Sequence, residues 1–162
     1  FIYIIIKKKI WIDMNVYSEM DSFGQGKVIE QLDKIFSAHT VTYTQHTTDY
    51  CTVDINMNIT RGDTELVYNL EAKDRTYNHN KFDEWFLQAD KYEELIKRGN
   101  AYYVNTFRDN WLVVWNLSTM DMSQVRTGKE YLWHSTVEKD YKMWKDVYYL
   151  PLNKAVYSSA FI

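Results

Sequence analysis

One stretch near the middle of the chain decides the fold. Residues 51–73 read CTVDINMNITRGDTELVYNLEAK. Apolar and polar side chains alternate strictly over residues 51–59, and a second alternating run covers residues 65–73. Such period-two alternation is typical of a half-buried β-strand. Between the runs, Gly62 and Asp63 form a two-residue turn, because glycine accepts a positive φ at the first central position. The stretch therefore predicts a β-hairpin.

The turn also determines which residues of the hairpin face each other. With a two-residue loop, Asp54 lies directly opposite Glu71, and Thr52 lies opposite Lys73. Opposed residues share one face of the strand pair, with Cβ atoms roughly 4.5–5.5 Å apart. A slip of one residue would move Asp54 to the other face. The register therefore predicts two carboxylates side by side, with a lysine two residues further along.

Paired carboxylates with a nearby lysine suit one kind of chemistry. Adjacent carboxylates repel each other, and a hard divalent cation with oxygen ligands removes the repulsion. Lys73 follows Glu71 by ~6.8 Å on the same face, within reach of water or phosphate oxygens at such a cation. A cation and an ammonium together stabilise the charge that develops when a phosphodiester is hydrolysed. The competing interpretation is a solvated strand face with a weak Glu–Lys surface pair.

Other patterns predict the remaining elements and an α/β class, with a mixed sheet flanked by helices. The predicted elements are an edge strand at Phe1–Ile6, a helix that begins at Ser22 with a Ser22/Gln25 capping box, a strand at Thr40–Gln45, a helix at Phe82–Lys97, a hairpin of Ala101–Phe107 and Trp111–Leu117, a strand at Tyr131–Val137, a short helix at Glu138–Val147, and a closing strand or tail from Tyr148.

The residues of the hairpin resemble a known nuclease superfamily. Asp54 followed by Glu71-Ala72-Lys73 is similar to the signature of the PD-(D/E)XK nucleases, with Val53 where that pattern has a proline. The superfamily has a restriction-endonuclease-like core of order αβββαβ, with the acidic pair on the central hairpin. The resemblance implies this core within about residues 22–117.

Two further motifs resemble the RecB-like and lambda-exonuclease-like branch of that superfamily. Gly26-Lys27-Val28-Ile29-Glu30 is similar to its G-x-x-h-E helix motif, and Gln88-Ala89-Asp90-Lys91-Tyr92 is similar to its Q-x-x-x-Y motif. Glycine inside a helix costs ~1 kcal/mol relative to alanine, so a close backbone approach is expected at Gly26. Glu19 competes with Glu30 for the helix position, although it has no glycine four residues before it.

The resemblance implies a role for each matched residue. Asp54 and Glu71 would ligate Mg²⁺ or Mn²⁺, with the backbone carbonyl of Ala72 as a further ligand. Lys73 would position or activate the attacking water. Glu30 would bind a second metal or hold a coordinated water.

Two residues of the last motif are expected to support the site. Gln88 and Tyr92, one turn apart on the predicted helix, would steady the lysine or contact the nucleic-acid backbone. Their alternative interpretations are a plain helix surface for Gln88 and a core position for Tyr92, which belongs to the apolar stripe.

The implied function is a metal-dependent deoxyribonuclease, with exonuclease-like motifs. A non-catalytic nucleic-acid-binding protein on the same fold and an endonuclease of the same superfamily are the alternatives. The expected partner is DNA, without a membrane. A homo-oligomer, a helicase or recombinase partner, a phage setting, and the choice between DNA and RNA stay open.

Composition is consistent with one domain over residues 1–162. Hydrophobic residues make up 46% of the chain and charged residues 25%, as in ordinary globular domains. The net charge of −3 excludes nucleic-acid binding by bulk charge, so a local basic patch or a metal is needed. The lone Cys51 excludes an intramolecular disulfide and a thiolate zinc site. A reducing compartment is therefore expected, the cytoplasm of a bacterial or phage-infected cell.

Overall fold

The structure is a computed structural model that describes residues 10–12, 19–46, 53–134 and 141–161. These residues form two α-helices and ten β-strands, and neither helix is long and apolar enough to cross a membrane. The elements are β1 (Ile10–Ile12), α1 (Glu19–Ile35), β2 (Thr40–Gln45), β3 (Ile55–Arg61), β4 (Thr64–Arg75), β5 (Glu84–Gln88), α2 (Ala89–Arg98), β6 (Ala101–Phe107), β7 (Trp111–Asn116), β8 (Arg126–Trp133), β9 (Lys142–Pro151) and β10 (Tyr157–Ala160).

Seven strands form a large mixed sheet in the order β1-β2-β3-β4-β6-β7-β10. The pairs β1–β2 and β4–β6 are parallel, and the other neighbours are antiparallel. The crossover from β4 to β6 contains β5 and α2, because parallel neighbours need a long connection. The strands β5, β9 and β8 form a second, antiparallel sheet. The predicted class, a mixed sheet flanked by helices, is confirmed.

Each face of the large sheet has its own apolar core. Helix α1 covers one face, where its buried Val28, Ile29 and Leu32 meet strand residues such as Ile55 and Leu70. On the other face, a second core joins strand residues of the large sheet to α2 and the small sheet; its buried members include Trp85, Leu95, Tyr103, Trp115 and Leu150. The polar side of the β3–β4 hairpin belongs to this second face, where Glu71 is buried and Glu65, near the turn, is exposed.

The predicted central hairpin is confirmed in its turn and its register. Arg61 pairs with Thr64, and Ile55 pairs with Leu70, as a two-residue loop requires. Gly62 has a φ of 61°, the left-handed value that favours glycine at this position. The regular strand begins at Ile55, later than predicted, and residues 51–52 lie outside the described part of the chain.

Several other predictions of local structure are confirmed. The strand at Thr40–Gln45 and the hairpin of β6 and β7 have the expected positions. Helix α2 ends at the expected stop, where Gly99 has a φ of 75° and donates its N–H to the carbonyl of Ile96. The edge strand predicted at Phe1–Ile6 lies outside the described residues. The edge strand that the structure describes, β1, was not predicted.

The predicted start of the first helix is wrong. Helix α1 already begins at Glu19, so Ser22 lies inside it and cannot act as the N-cap. Gln25 has a different role from the one expected, because it is buried and its Nε2 donates to the carbonyl of His46 at 3.1 Å. This contact ties the first helix to the end of β2.

The helix predicted at Phe82–Lys97 is correct only in its second half. Residues Glu84–Gln88 form β5, in which Trp85 and Leu87 alternate as buried side chains. Trp85 pairs with Leu150 of β9. The apolar spacing of these residues fits both a helix and a strand. They form a strand because they pair with β9.

The prediction for the C-terminal segment is wrong in its main element. The short helix at Glu138–Val147 is replaced by β9 from Lys142, while residues 135–140 lie outside the described part. The strand predicted at Tyr131–Val137 exists as β8 but begins earlier, at Arg126. The closing strand predicted from Tyr148 corresponds to the end of β9 and to β10, which pairs with β7 at the sheet edge.

Candidate active site

The backbone of Asp54 is fixed between two strands. Its N–H donates to the carbonyl of Leu70 at 3.0 Å, and its carbonyl accepts from the N–H of His46 at 2.8 Å. Its side chain is then held as well, because Oδ2 accepts the backbone N–H of Ala72 at 2.9 Å. The Asp54 carboxylate therefore lies against β4 beside Glu71, as the predicted register requires.

Glu71 is the most deeply buried charged group of the site. Only 1% of it is exposed. Lys73 Nζ lies 2.8 Å from Glu71 Oε1 and 3.7 Å from Asp54 Oδ2, so one ammonium bridges both carboxylates. A second ammonium, Lys91 Nζ from α2, lies 3.5 Å from Glu71 Oε2. A solvated surface pair does not describe this arrangement, because the carboxylate is enclosed.

The pKa values of the two carboxyl groups are shifted in opposite directions. Burial, with repulsion from Glu71, raises the pKa of Asp54 to about 6, although Lys73, Lys91 and the Ala72 N–H oppose the rise. Burial also raises the pKa of Glu71, but Lys73 and Lys91 outweigh it and hold this pKa below its usual value. Burial lowers the pKa of Lys73, and the attraction of Glu71 and Asp54 outweighs it, so the pKa is raised. Separated carboxyl pKa values of this kind are typical of functional sites.

A chain of side-chain hydrogen bonds lies next to the carboxylates on the same face. Asn56 Oδ1 contacts His46 Nε2 at 2.5 Å, and Asn56 Nδ2 donates to Asn69 Oδ1 at 2.8 Å. Asn69 Nδ2 then donates to the carbonyl of Gly99 at 2.7 Å. The chain links β2, β3, β4 and the end of α2, and it holds the hairpin and the helix in a fixed relation.

On the other side of Lys73, the last residues of β4 line a cavity. Arg75, two residues further, donates from Nη2 to the carbonyl of Phe86 at 3.1 Å and to the hydroxyl of Tyr103. Tyr103 also donates to the Phe86 carbonyl, at 2.9 Å. Beyond Arg75 lies a cavity of about 1130 Å³, which Lys81, Arg126 and aromatic side chains line.

The donor set of the site fits a divalent cation. Among the described residues, no group of three or more His, Cys, Asp and Glu side chains is placed to hold a metal. Mg²⁺ is nevertheless bound in many proteins through one or two carboxylates and keeps several waters. Asp54 and Glu71 supply those carboxylates, and Glu71 Oε2 is buried beside the Lys91 ammonium at 3.5 Å, with no hydrogen bond among the described residues. The role of the Ala72 carbonyl stays a prediction.

Two residues near the site were missed as site residues. Lys91 was not predicted as a site residue, although it lies inside the Gln88–Tyr92 motif. Asn105 pairs with Lys73 in the β4–β6 register and is fully buried. Neither atom of its side-chain amide has a hydrogen-bond partner among the described residues. The signal for Asn105 was an amide within an apolar strand, since a buried amide without a partner is costly.

The structure does not bring Glu30 to the carboxylate pair. Its side chain is 66% exposed and lies 3.5 Å from Lys34 on α1, the helix that covers the opposite face of the sheet. The close approach expected at Gly26 is also wrong, because a Cβ there would meet nothing within 4 Å among the described residues. The close approach occurs at Gly24, where a Cβ would lie 3.1 Å from Asp74 Cβ. The metal role of Glu30 stays a prediction.

Gln88 and Tyr92 are not one helical turn apart, because Gln88 ends β5 and α2 begins after it. The lysine that Gln88 contacts is Lys145, whose Nζ donates to its Oε1 at 3.2 Å. Tyr92 packs against the second core, with its ring centroid 4.9 Å from that of Tyr148. These contacts favour the core interpretation of Tyr92.

Comparisons with known proteins found few similarities. No protein-family model matches the chain, and no curated protein matches it. Among solved structures, the chain is similar to D212, a nuclease from a fusselovirus, with 15% sequence identity and a TM-score of 0.48. The similarity covers 88% of this chain and 89% of that chain.

Proposed function

We propose that this protein is a metal-dependent nuclease that hydrolyses DNA phosphodiester bonds. The observation that carries the proposal is the geometry of the hairpin, where one lysine bridges two carboxylates. Asp54 and Glu71 lie on adjacent strands, and Lys73 Nζ contacts both. Burial of this cluster costs free energy, so a catalytic role accounts for its presence better than stability does.

The proposal gives each residue of the cluster a task. Asp54 and Glu71 would hold Mg²⁺ or Mn²⁺, with the Ala72 carbonyl as the expected further ligand. When bound, the cation supplies Lewis acidity for the hydrolysis. Lys73, whose side chain is partly exposed, would donate hydrogen bonds to the phosphate oxygens or the attacking water. Lys91 would keep Glu71 ionised and ready to ligate.

Conversion of one carboxylate to an amide tests the proposal. Purified protein is incubated with linear and circular DNA in Mg²⁺, Mn²⁺ or EDTA, beside a Glu71→Gln variant. The matched control is Glu65→Gln, on the same strand and hairpin face but exposed. We expect metal-dependent cleavage that falls by roughly 100-fold or more in Glu71→Gln and is unchanged in the control. Sparing of the circle would favour an exonuclease over an endonuclease.

Two results would contradict the proposal. Cleavage that survives both EDTA and Glu71→Gln would exclude this site as its source. DNA binding without cleavage in either metal would favour the non-catalytic binding protein. Titration of Mn²⁺ into wild-type and variant protein, with circular-dichroism spectra of both, separates loss of the metal from loss of the fold.

A further inference from the structure

The β8–β9 hairpin projects beyond the small sheet. Strand β5 pairs with only the last five residues of β9, from Val147 to Pro151. The preceding residues of the hairpin have no third strand beside them among the described residues. We call residues 129–133 and 142–146 the arm. Two hydrogen bonds hold its two strands together at the far end. His134 N–H donates to the Tyr141 carbonyl at 2.9 Å, and Lys145 Nζ donates to the His134 carbonyl at 2.8 Å.

One face of the arm carries aromatic rings and charges. Tyr131 lies opposite Trp144, and their ring centroids are 5.3 Å apart. Trp133 lies opposite Lys142, whose Nζ is 5.0 Å from the Trp133 ring centroid. Lys129 completes this face of β8, opposite an aspartate. Strand alternation places all these side chains on the same side.

These rings are exposed far more than aromatic residues usually are. Trp144 is 63% exposed and Tyr131 is 54% exposed. Towards the base of the hairpin, the same face carries Tyr148 and Leu150, which belong to the second core. Between these residues and the exposed pair of Tyr131 and Trp144, the face carries the ion pair of Lys129 and Asp146, 3.8 Å apart. Large exposed aromatic side chains that neighbour each other mark an interaction site.

The charges identify the kind of partner. Lysine is depleted in the cores of protein–protein interfaces, yet Lys142 lies over the Trp133 ring, beside Tyr131 and Trp144. Aromatic rings beside cations are the composition of surfaces that bind single-stranded nucleic acid, where bases stack and phosphates meet the cations. Tyr131 and Trp133 follow each other on one face at a distance of ~6.8 Å along the strand.

We propose that the arm binds single-stranded nucleic acid by stacking its bases on Tyr131, Trp133 and Trp144, with Lys142 at the phosphates. The inference deepens the proposed nuclease function, because it would supply the strand that the carboxylate site cleaves. The arm and the site are connected through Lys145, which bonds Gln88, the last residue of β5 directly before α2. The same helix carries Lys91, which contacts Glu71.

The test measures binding without cleavage. A fluorescein-labelled thymidine 20-mer and a duplex of the same length are titrated with the protein in EDTA. The variants are Trp144→Ala and the ring-preserving Trp144→Phe, and the control is Phe23→Ala on α1, which is also 63% exposed. We expect wild-type protein to bind the single strand more tightly than the duplex. Trp144→Ala should weaken this binding by roughly 10-fold, in line with 1–3 kcal/mol per stacked base, while Trp144→Phe restores much of it.

Salt dependence gives a second, independent measurement. Loss of one phosphate contact reduces the slope of log K against log salt by roughly 0.7 for single strands. We expect this reduction in Lys142→Gln and none in Phe23→Ala. An unchanged slope in Lys142→Gln would show that Lys142 does not contact a phosphate.

The two proposals fail in different ways. If Trp144→Ala binds the 20-mer as wild-type protein does, the arm is not the binding surface, whatever the cleavage assay shows. If the arm binds but Glu71→Gln cleaves as well as wild type, the nuclease proposal fails and the arm proposal stands. A wild-type dimer that dissociates on Trp144→Ala, seen by sedimentation, would assign the face to a second copy of the chain and overturn the inference.

Discussion

The hairpin of β3 and β4 and the hairpin of β8 and β9 place opposite chemistry in opposite environments. In the first, Glu71 carries a charge and is 1% exposed. In the second, Trp144 carries a large apolar ring and is 63% exposed. A buried carboxylate and an exposed indole each reverse the usual distribution of side chains. Departures of this kind from folding rules concentrate at functional sites.

The two hairpins differ in whether neighbouring side chains compensate for the unusual residue. Around Glu71, the ammonium groups of Lys73 and Lys91 supply opposite charge. On the arm, the aromatic face is left open to solvent. This difference agrees with the two proposals, in which the first hairpin would hold a small ligand inside the fold and the second would bind a large partner outside it.

Removal of the buried charge should have the largest effect on stability. Glu71→Leu keeps the volume but removes the buried carboxylate that Lys73 and Lys91 both contact, and breaking such a cluster on one side costs about 3 kcal/mol or more. Trp144→Leu on the arm should change the free energy of unfolding by less than about 0.5 kcal/mol, because the ring is exposed. Urea denaturation of both variants at neutral pH measures the two effects. Equal losses would mean that the hairpins do not differ in the way described.

The pH dependence of stability should isolate Asp54. Its pKa is about 6 in the folded protein against 3.8 in the unfolded chain. Between these values the folded state binds more protons, so this group's contribution to stability falls as pH rises through the window. In EDTA, Asp54→Asn should therefore be more stable than wild-type protein at about pH 7.5, by an amount on the order of 3 kcal/mol. The asparagine retains an acceptor for the Ala72 N–H.

Denaturation across a range of pH checks this prediction. The advantage of Asp54→Asn should shrink as pH falls from about 6 to about 4, because the wild-type carboxyl group is then protonated in the folded state. Glu71 acts in the opposite direction, since its pKa is lowered, and it is common to both proteins. A variant that is less stable than wild type at about pH 7.5 would show that ionised Asp54 stabilises the fold.

The first hairpin was predictable from sequence because its information is local. The turn at Gly62 and the alternation of the two strands determine the register, and the register alone places Asp54, Glu71 and Lys73 together. Their assembly needs no knowledge of any other element. The same holds for β6 and β7, whose apolar runs flank a short turn.

The remaining parts depend on partners that are distant in sequence. Strand β5 could not be recognised because its apolar spacing also fits a helix, and its partner β9 lies far along the chain. For the same reason β9 was predicted as a helix. Lys91 and Asn105 reach the site only through the packing of α2 and the pairing of β6 with β4. Glu30, predicted from a motif on a helix, has no such packing towards the carboxylates.

The smallest predicted effect on stability comes from a glycine in the β8–β9 hairpin. A Cβ added at Gly128 would lie 2.8 Å from Cε2 of Tyr149, so the ring must move. Tyr149 donates its hydroxyl to Glu130 Oε1 at 2.6 Å, and this bond would be strained or lost. Gly128→Ala should therefore destabilise the protein by about 1 kcal/mol. Gly26 lies within α1, where an added Cβ would meet nothing within 4 Å among the described residues. Gly26→Ala should therefore stabilise the protein by about 0.5–1 kcal/mol. Thermal unfolding of both variants gives the signs, and a neutral Gly128→Ala would show that the Tyr149–Glu130 bond does not hold the base of the arm.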